Sequence, residues 1–182
     1  FQHINGELLS SMRRGITKKE TYDLIETIRN KIPGIALRTS LMVGYPGETK
    51  KHFQELMDFV RDVRFERLGV FTYSEEDGTR AAAPKNSVPK LVKQERAEQI
   101  MMVQQEISAE INNAKIEKVF KTIIDGNENG FYYGRTEFDS PEIDNEVLIS
   151  TANAKLEIGS FYNVLIKDSV EFDLYGDIEE NI

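Results

Sequence analysis

The sequence predicts an α/β fold in two parts: βαβ units with a parallel sheet over residues 1–114, then a small antiparallel β-barrel over residues 115–182. Up to Asn113, apolar residues recur at helical spacing between short β-type runs, the alternation expected of a parallel sheet covered by helices. Beyond Asn112 to Lys115 the period becomes that of short strands punctuated by turn residues. Charge changes at the same place, from 17 Lys and Arg against 16 Asp and Glu in residues 1–114 to 6 against 15 in residues 115–182.

Taken in order, Phe1-Gln2-His3 reads as the end of a strand. Thr17-Lys18-Lys19-Glu20 is a capping-box pattern, in which Thr17 accepts from the Glu20 amide and the Glu20 carboxylate reaches back. Leu24, Ile25, Ile28 and Ile32 continue that helix until Pro33-Gly34 stops it. Residues 35–43 form a strand and Gly44-Tyr45-Pro46-Gly47 a turn. His52, Phe53, Leu56, Met57, Val60 and Val63 mark the next helix, and Arg67 to Tyr73 the next strand. From Pro89 to Asn113 the stripe Leu91, Val92, Ile100, Val103, Ile107 and Ile111 predicts one long helix, with Met101 and Met102 read as core filling. The β-type runs 119–124, 131–135, 146–150, 161–166 and 171–175 follow, with turns at Asp125 to Gly130 and Ile158-Gly159-Ser160. A closed sheet suits such short strands because closure removes exposed edges.

Several chemistries are excluded for these residues. There is no cysteine, so no disulfide, thiolate nucleophile, or thiolate-held zinc or iron–sulfur cluster. No run approaches the roughly 20 apolar residues of a membrane-spanning helix, and the N-terminus lacks the layout of a signal peptide, so a cytoplasmic protein is expected. The chain begins with Phe1 and reads as a piece of a longer protein. His52 lies in an amphipathic helix and reads as structural, while His3, at a strand end, stays open between a structural and a catalytic role. No phosphate-binding loop, Ser-His-Asp pattern or metal-ligand spacing is present, so neither catalytic nor metal residues are assigned. The acidic last third repels a phosphate backbone, which argues for a basic protein partner over RNA and makes base stacking on Phe131-Tyr132-Tyr133 the minority reading.

The most informative motif is Leu41-Met42-Val43-Gly44-Tyr45-Pro46-Gly47-Glu48-Thr49. An apolar strand runs into a glycine, where backbone can approach a flat ligand, and then into a helix with free N-terminal amides. Glu48, near that helix start, also suits a plain capping role.

Val43 to Thr49 resembles the Val-Gly-(Phe or Tyr)-Pro-Gly-Glu-Thr signature of the radical S-adenosylmethionine methylthiotransferases. Gln2-His3 is similar to the end of that family's fourth barrel strand, Ser11-Met12-Arg13-Arg14 to the turn after it, and Phe71 to Thr79 to the sixth strand and its loop. Residues 115–178 resemble its appended TRAM domain, a small OB-like barrel. The resemblance implies that residues 1–114 are the last strands of a partial (βα) barrel with a long connecting helix, and that residues 115–182 are the TRAM domain. It also implies that S-adenosylmethionine and two 4Fe-4S clusters serve the intact enzyme, with the cluster cysteines upstream and this stretch inactive alone. In that family one cluster reduces S-adenosylmethionine to a radical that takes hydrogen from the target, and the second delivers the methylthio group. Gln2, Arg38, Ser40, Val43, Gly44 and Phe71 would then line the S-adenosylmethionine pocket at the C-terminal ends of the strands, with Gly44 leaving room for the adenine.

One branch of the family modifies adenosine in transfer RNA, the other an aspartate of small-subunit ribosomal protein twelve. Tyr73-Ser74-Glu75-Glu76-Asp77-Gly78-Thr79 and Gly134-Arg135-Thr136-Glu137-Phe138-Asp139-Ser140-Pro141-Glu142-Ile143-Asp144 are similar to the ribosomal-protein branch. The implied partner is that basic protein, docked on Glu137, Asp139, Glu142, Asp144 and Glu146, with neither direct nucleic-acid nor membrane binding. The transfer RNA branch and a non-catalytic binding module remain the alternatives.

Overall fold

The computed structural model describes residues 1–75, 87–141, 144–152 and 155–179. The chain forms two compact units, Phe1–Ile107 and Ser108–Ile182.

In the first unit, β1 (Arg38–Val43) and β2 (Arg67–Thr72) pair in parallel from Arg38↔Arg67 to Val43↔Thr72, joined by α3 (Lys50–Val63). A further extended stretch lies beside β1, where the Met42 amide donates to the Gln2 carbonyl at 2.8 Å. These strands make one βαβ unit, and a partial (βα) barrel is more than they form by themselves. Along β1 burial alternates, Thr39, Leu41 and Val43 being buried and Arg38 and Ser40 exposed, because successive side chains point to opposite faces. The unit's core includes Leu41, Val43, Leu56, Phe59, Val60 and Phe65, with the Phe59 and Phe65 rings 5.5 Å apart edge to face.

Local signals set the helix ends. α2 (Lys18–Lys31) begins on the expected Thr17–Glu20 capping box. A second box, Thr49 with His52, opens α3, whose far end turns on Arg64 in the left-handed region. The short α1 (Gly6–Ser11), which the sequence reading does not anticipate, is capped by the Asn5 side chain accepting from the amides of Glu7 and Leu8. The long α4 spans Lys90–Asn113. Within it Ile100 is buried, but Leu91 is 73% exposed and Met102 63%, against the expectation of a stripe starting at Leu91 and a methionine pair filling core. Successive residues on a helix point about 100° apart, so turning Ile100 into the core leaves Met102, two residues on, pointing away from it.

The second unit is a closed barrel of β3 (Val119–Glu128), β4 (Phe131–Thr136), β5 (Val147–Ser150), β6 (Phe161–Ser169) and β7 (Leu174–Ile178), in the order β3-β4-β5-β7-β6. It is not wholly antiparallel as expected: β5 and β7 pair in parallel, Val147 with Leu174 and Leu148 with Tyr175. Around a ring of five strands the directions cannot alternate throughout, so at least one pair must be parallel. The turn foreseen over Asp125 to Gly130 contracts to Asn129-Gly130, both at positive φ (52° and 84°), as a two-residue hairpin turn requires. Asp125 to Glu128 instead extend β3, with a bulge between Ile124 and Gly126. Ile124, Tyr132, Val147, Ile149, Val164, Ile166 and Leu174 fill the barrel. Tyr132 is therefore core, which accounts for one of the three consecutive aromatic residues.

Candidate functional site

At the C-terminal end of β1 the chain turns through Gly44 (φ +76°) and Gly47 (φ +88°) into α3. Thr49, not Glu48, is the helix cap, its side chain accepting from the His52 amide, so the N-terminal amides expected to be free are partly taken. Glu48 turns inward. Its fully buried carboxylate accepts from the Gly44 amide at 2.6 Å and from Arg96 Nη1 at 2.6 Å, and Arg96 also reaches the Glu48 carbonyl at 3.2 Å. Burial pushes this carboxyl above the usual carboxylate range, against the pull of Arg96 and the Gly44 amide.

His3 faces the same carboxylate, Nε2 to Glu48 Oε2 at 4.0 Å, while its Nδ1 accepts from the Asn5 amide at 3.0 Å. Burial first, and then the charge of His52, push His3 down to about 4. It is a buried neutral imidazole. Acid should therefore destabilise this unit. Glu48, Glu55, His52 and Arg96 surround His3, and the unfolded chain takes up its proton near 6.5 while the folded chain holds out to about 4. Stability present above pH 6.5 is lost as pH falls towards 4, by about 3 kcal/mol at most. Denaturant titrations across this range should show that slope in the wild type and a shallower one in His3→Gln; equal slopes would exclude His3 as its source.

The residues expected to line a nucleoside pocket separate. Ser40 and Phe71 belong to the open sides of β1 and β2, Ser40 opposite Gly69 and Phe71, 62% exposed, opposite Met42, with the Gln2 carbonyl on the Met42 amide. Arg38 instead begins β1, about 16 Å from its C-terminal end at the strand rise of roughly 3.3 Å per residue. Val43 is fully buried on the covered face. Gly44 is no open cradle, because a Cβ there would lie 2.3 Å from Lys93 Cγ, and the lysine stem already occupies the space expected for an adenine. Gly69, which the sequence reading passes over, has among the described residues only Phe71 within 4 Å of such a Cβ, at 3.9 Å. Lys93 also bonds the Tyr73 carbonyl at 2.9 Å, beside a cavity of about 460 Å³ lined by Thr72, Tyr73, Ser74, Lys90 and Lys93 among others.

The acidic residues expected to form one docking face on the barrel unit also divide. Asp139 is buried and accepts from the Thr136 hydroxyl at 2.6 Å, and Asp144 accepts from the Ser140 amide at 2.7 Å. Both close turns rather than face a partner, as short acidic side chains a few residues beyond a turn start commonly do. Glu137 and Glu146 are exposed, and Glu142 lies outside the described residues. Partial burial, then the like charges of Asp173, Asp125 and Glu128, push the Glu146 carboxyl up. These four acids, drawn from β3 and the approaches to β5 and β7, form an acidic patch in which Arg135, 3.0 Å from Asp125, supplies a counter-charge. Sequence spacing could not reveal it, since barrel closure brings its members together.

Residues 116–178 match the TRAM domain family. Over 98% of its length the chain is 56% identical to the ribosomal protein uS12 methylthiotransferase RimO of Bacteroides fragilis. The proteins of the same name from Christiangramia forsetii and Cytophaga hutchinsonii are 51% identical over 97% and 50% identical over 98% of the chain. The chain spans 41% of the Bacteroides relative, 39% of that from Christiangramia and 41% of that from Cytophaga. Residues 116–178 are thus a TRAM domain, and over nearly its whole length the chain is a relative of the uS12 methylthiotransferases RimO.

Proposed function

We propose that this chain is part of an enzyme that methylthiolates an aspartate of the small-subunit ribosomal protein uS12. In this reading residues 1–114 are the last strands of a partial (βα) barrel supplying part of an S-adenosylmethionine pocket, and residues 115–182 dock the protein substrate. Similarity over 98% of the chain to proteins named for that activity carries the reading. The open side of β1 and β2 supports it, offering a flat apolar surface at Gly69, Met42 and Phe71 with Ser40 and Gln2 beside it. When bound, S-adenosylmethionine supplies the one-electron chemistry; these residues bind and orient it and exclude water. Without cysteine, the chain does not hold the iron–sulfur clusters through thiolates, and those ligands belong elsewhere in the enzyme.

The acidic patch on the barrel unit gives the second half of the reading. Glu128, Glu146, Asp125 and Asp173 suit a basic protein and repel a nucleic-acid backbone. Reversing Glu128 and Glu146 to Lys in the intact enzyme should slow association with uS12 about tenfold at low salt and far less at high salt, with dissociation little changed. Surface capture at two salt concentrations measures both rates. An unchanged association rate, or tight binding of the wild-type enzyme to transfer RNA, would overturn the docking assignment.

A further inference from the structure

We propose that Glu48 is a positioning residue: its buried carboxylate, held by the Gly44 amide and Arg96 and faced by His3, fixes the strand ends that frame the open side of β1 and β2. The inference rests on the reading of that side as the S-adenosylmethionine surface.

Each stretch framing the open side leads into this network. Gln2, whose carbonyl pairs with Met42, precedes His3. Met42 and Val43 lead to Gly44, whose amide the carboxylate holds. Phe71 leads to Tyr73, whose carbonyl is held by Lys93, one turn before Arg96 on α4. Left-handed glycines stand at both ends of the turn, and ordering them costs conformational entropy. Glu48 closes it twice, through its side chain to the Gly44 amide and through its own amide to the Tyr45 carbonyl at 2.9 Å. Since Nδ1 of His3 accepts from the Asn5 amide, the proton of the neutral ring sits on Nε2, which finds no hydrogen-bond partner among the described residues and faces Glu48. A well-packed apolar pair would stabilise a fold as well as a buried ion pair does, so what this arrangement adds is fixed geometry.

The test uses Glu48→Gln, which keeps an acceptor for the Gly44 amide and removes the charge, in the intact cluster-loaded enzyme, with circular dichroism to confirm folding. S-adenosylmethionine affinity, measured by calorimetry, should fall about tenfold, while turnover at saturating S-adenosylmethionine stays within about threefold, a split that general loss of structure would not give. In the 182-residue chain the same substitution should shift the Gly44 amide and His3 Nε2 resonances. Should Glu48→Gln not fold, Arg96→Lys, which keeps the charge but replaces the Nη1 that donates to both the Glu48 carboxylate and carbonyl, is read in the same way. Unchanged affinity in the Glu48 variant, with weakened affinity in Phe71→Ala, would overturn this inference alone. Unchanged affinity in both would overturn the placement of the ligand on which it rests.

Discussion

Gly134→Ala should destabilise the barrel by about 3 kcal/mol or more, the range reached when overpacking meets a position that cannot yield. Gly134 sits opposite Ile124, beside the β3 bulge, and a Cβ there would lie 2.2 Å from the Ile123 carbonyl oxygen and 3.0 Å from Thr122 Cγ2. A carbonyl in a strand cannot rotate aside as a long side chain can, so β3 and β4 would have to separate. Gly130→Ala is the control. At φ +84° with nothing within 4 Å among the described residues it meets backbone strain alone, worth about 1 kcal/mol. Hydrogen exchange at Tyr132, Ile149 and Val164 reports on the barrel by itself; protection there in Gly134→Ala equal to wild type would refute the expectation.

Arg96→Met should cost the first unit about 3–5 kcal/mol, because it leaves the Glu48 carboxylate buried without its counter-charge. Much of that cost belongs to the stranded charge, so Glu48→Leu combined with Arg96→Met should recover most of the loss. Lowering the pH should narrow the gap between the single variant and the wild type, since Glu48, already pushed up by burial, takes a proton more readily once Arg96 is gone. Denaturant unfolding at pH 7 and pH 5 measures the gap. A gap that stays constant would mean that Glu48 is not the charge left behind.

The legible parts of this fold were those specified by near neighbours. The Thr17–Glu20 box, the Pro33-Gly34 stop and the βαβ alternation each declare themselves within a few residues, and the structure has them where expected. α1 escapes because its six residues are too few for a period, although Asn5 before them is a good cap. Glu48 shows the opposite failure: its place beside a helix start suggests a surface cap, but its partner Arg96 lies 48 residues on, a pairing only tertiary structure supplies. The charges of Asp139 and Asp144 suggest a docking face, but their spacing from Thr136 and Ser140 already points to turn closure. At Gly44 the need for glycine was legible but the occupant was not, for a lysine stem on a helix encoded far downstream fills the space.

Ring closure in the TRAM domain also determines what a partner can and cannot do to it. Every strand of the barrel is paired on both sides over part of its length, so among the described residues no strand is a free edge along its whole length, as a peptide extending the sheet would need. Most of the surface a partner meets is then outward side chains and connecting loops. The residues that fill the barrel and the charged residues on its outer surface are therefore separate sets. If the proposed docking holds, changing surface charges such as Glu128 or Glu146 should alter recognition while Ile124, Val164 and Leu174 continue to specify the same fold.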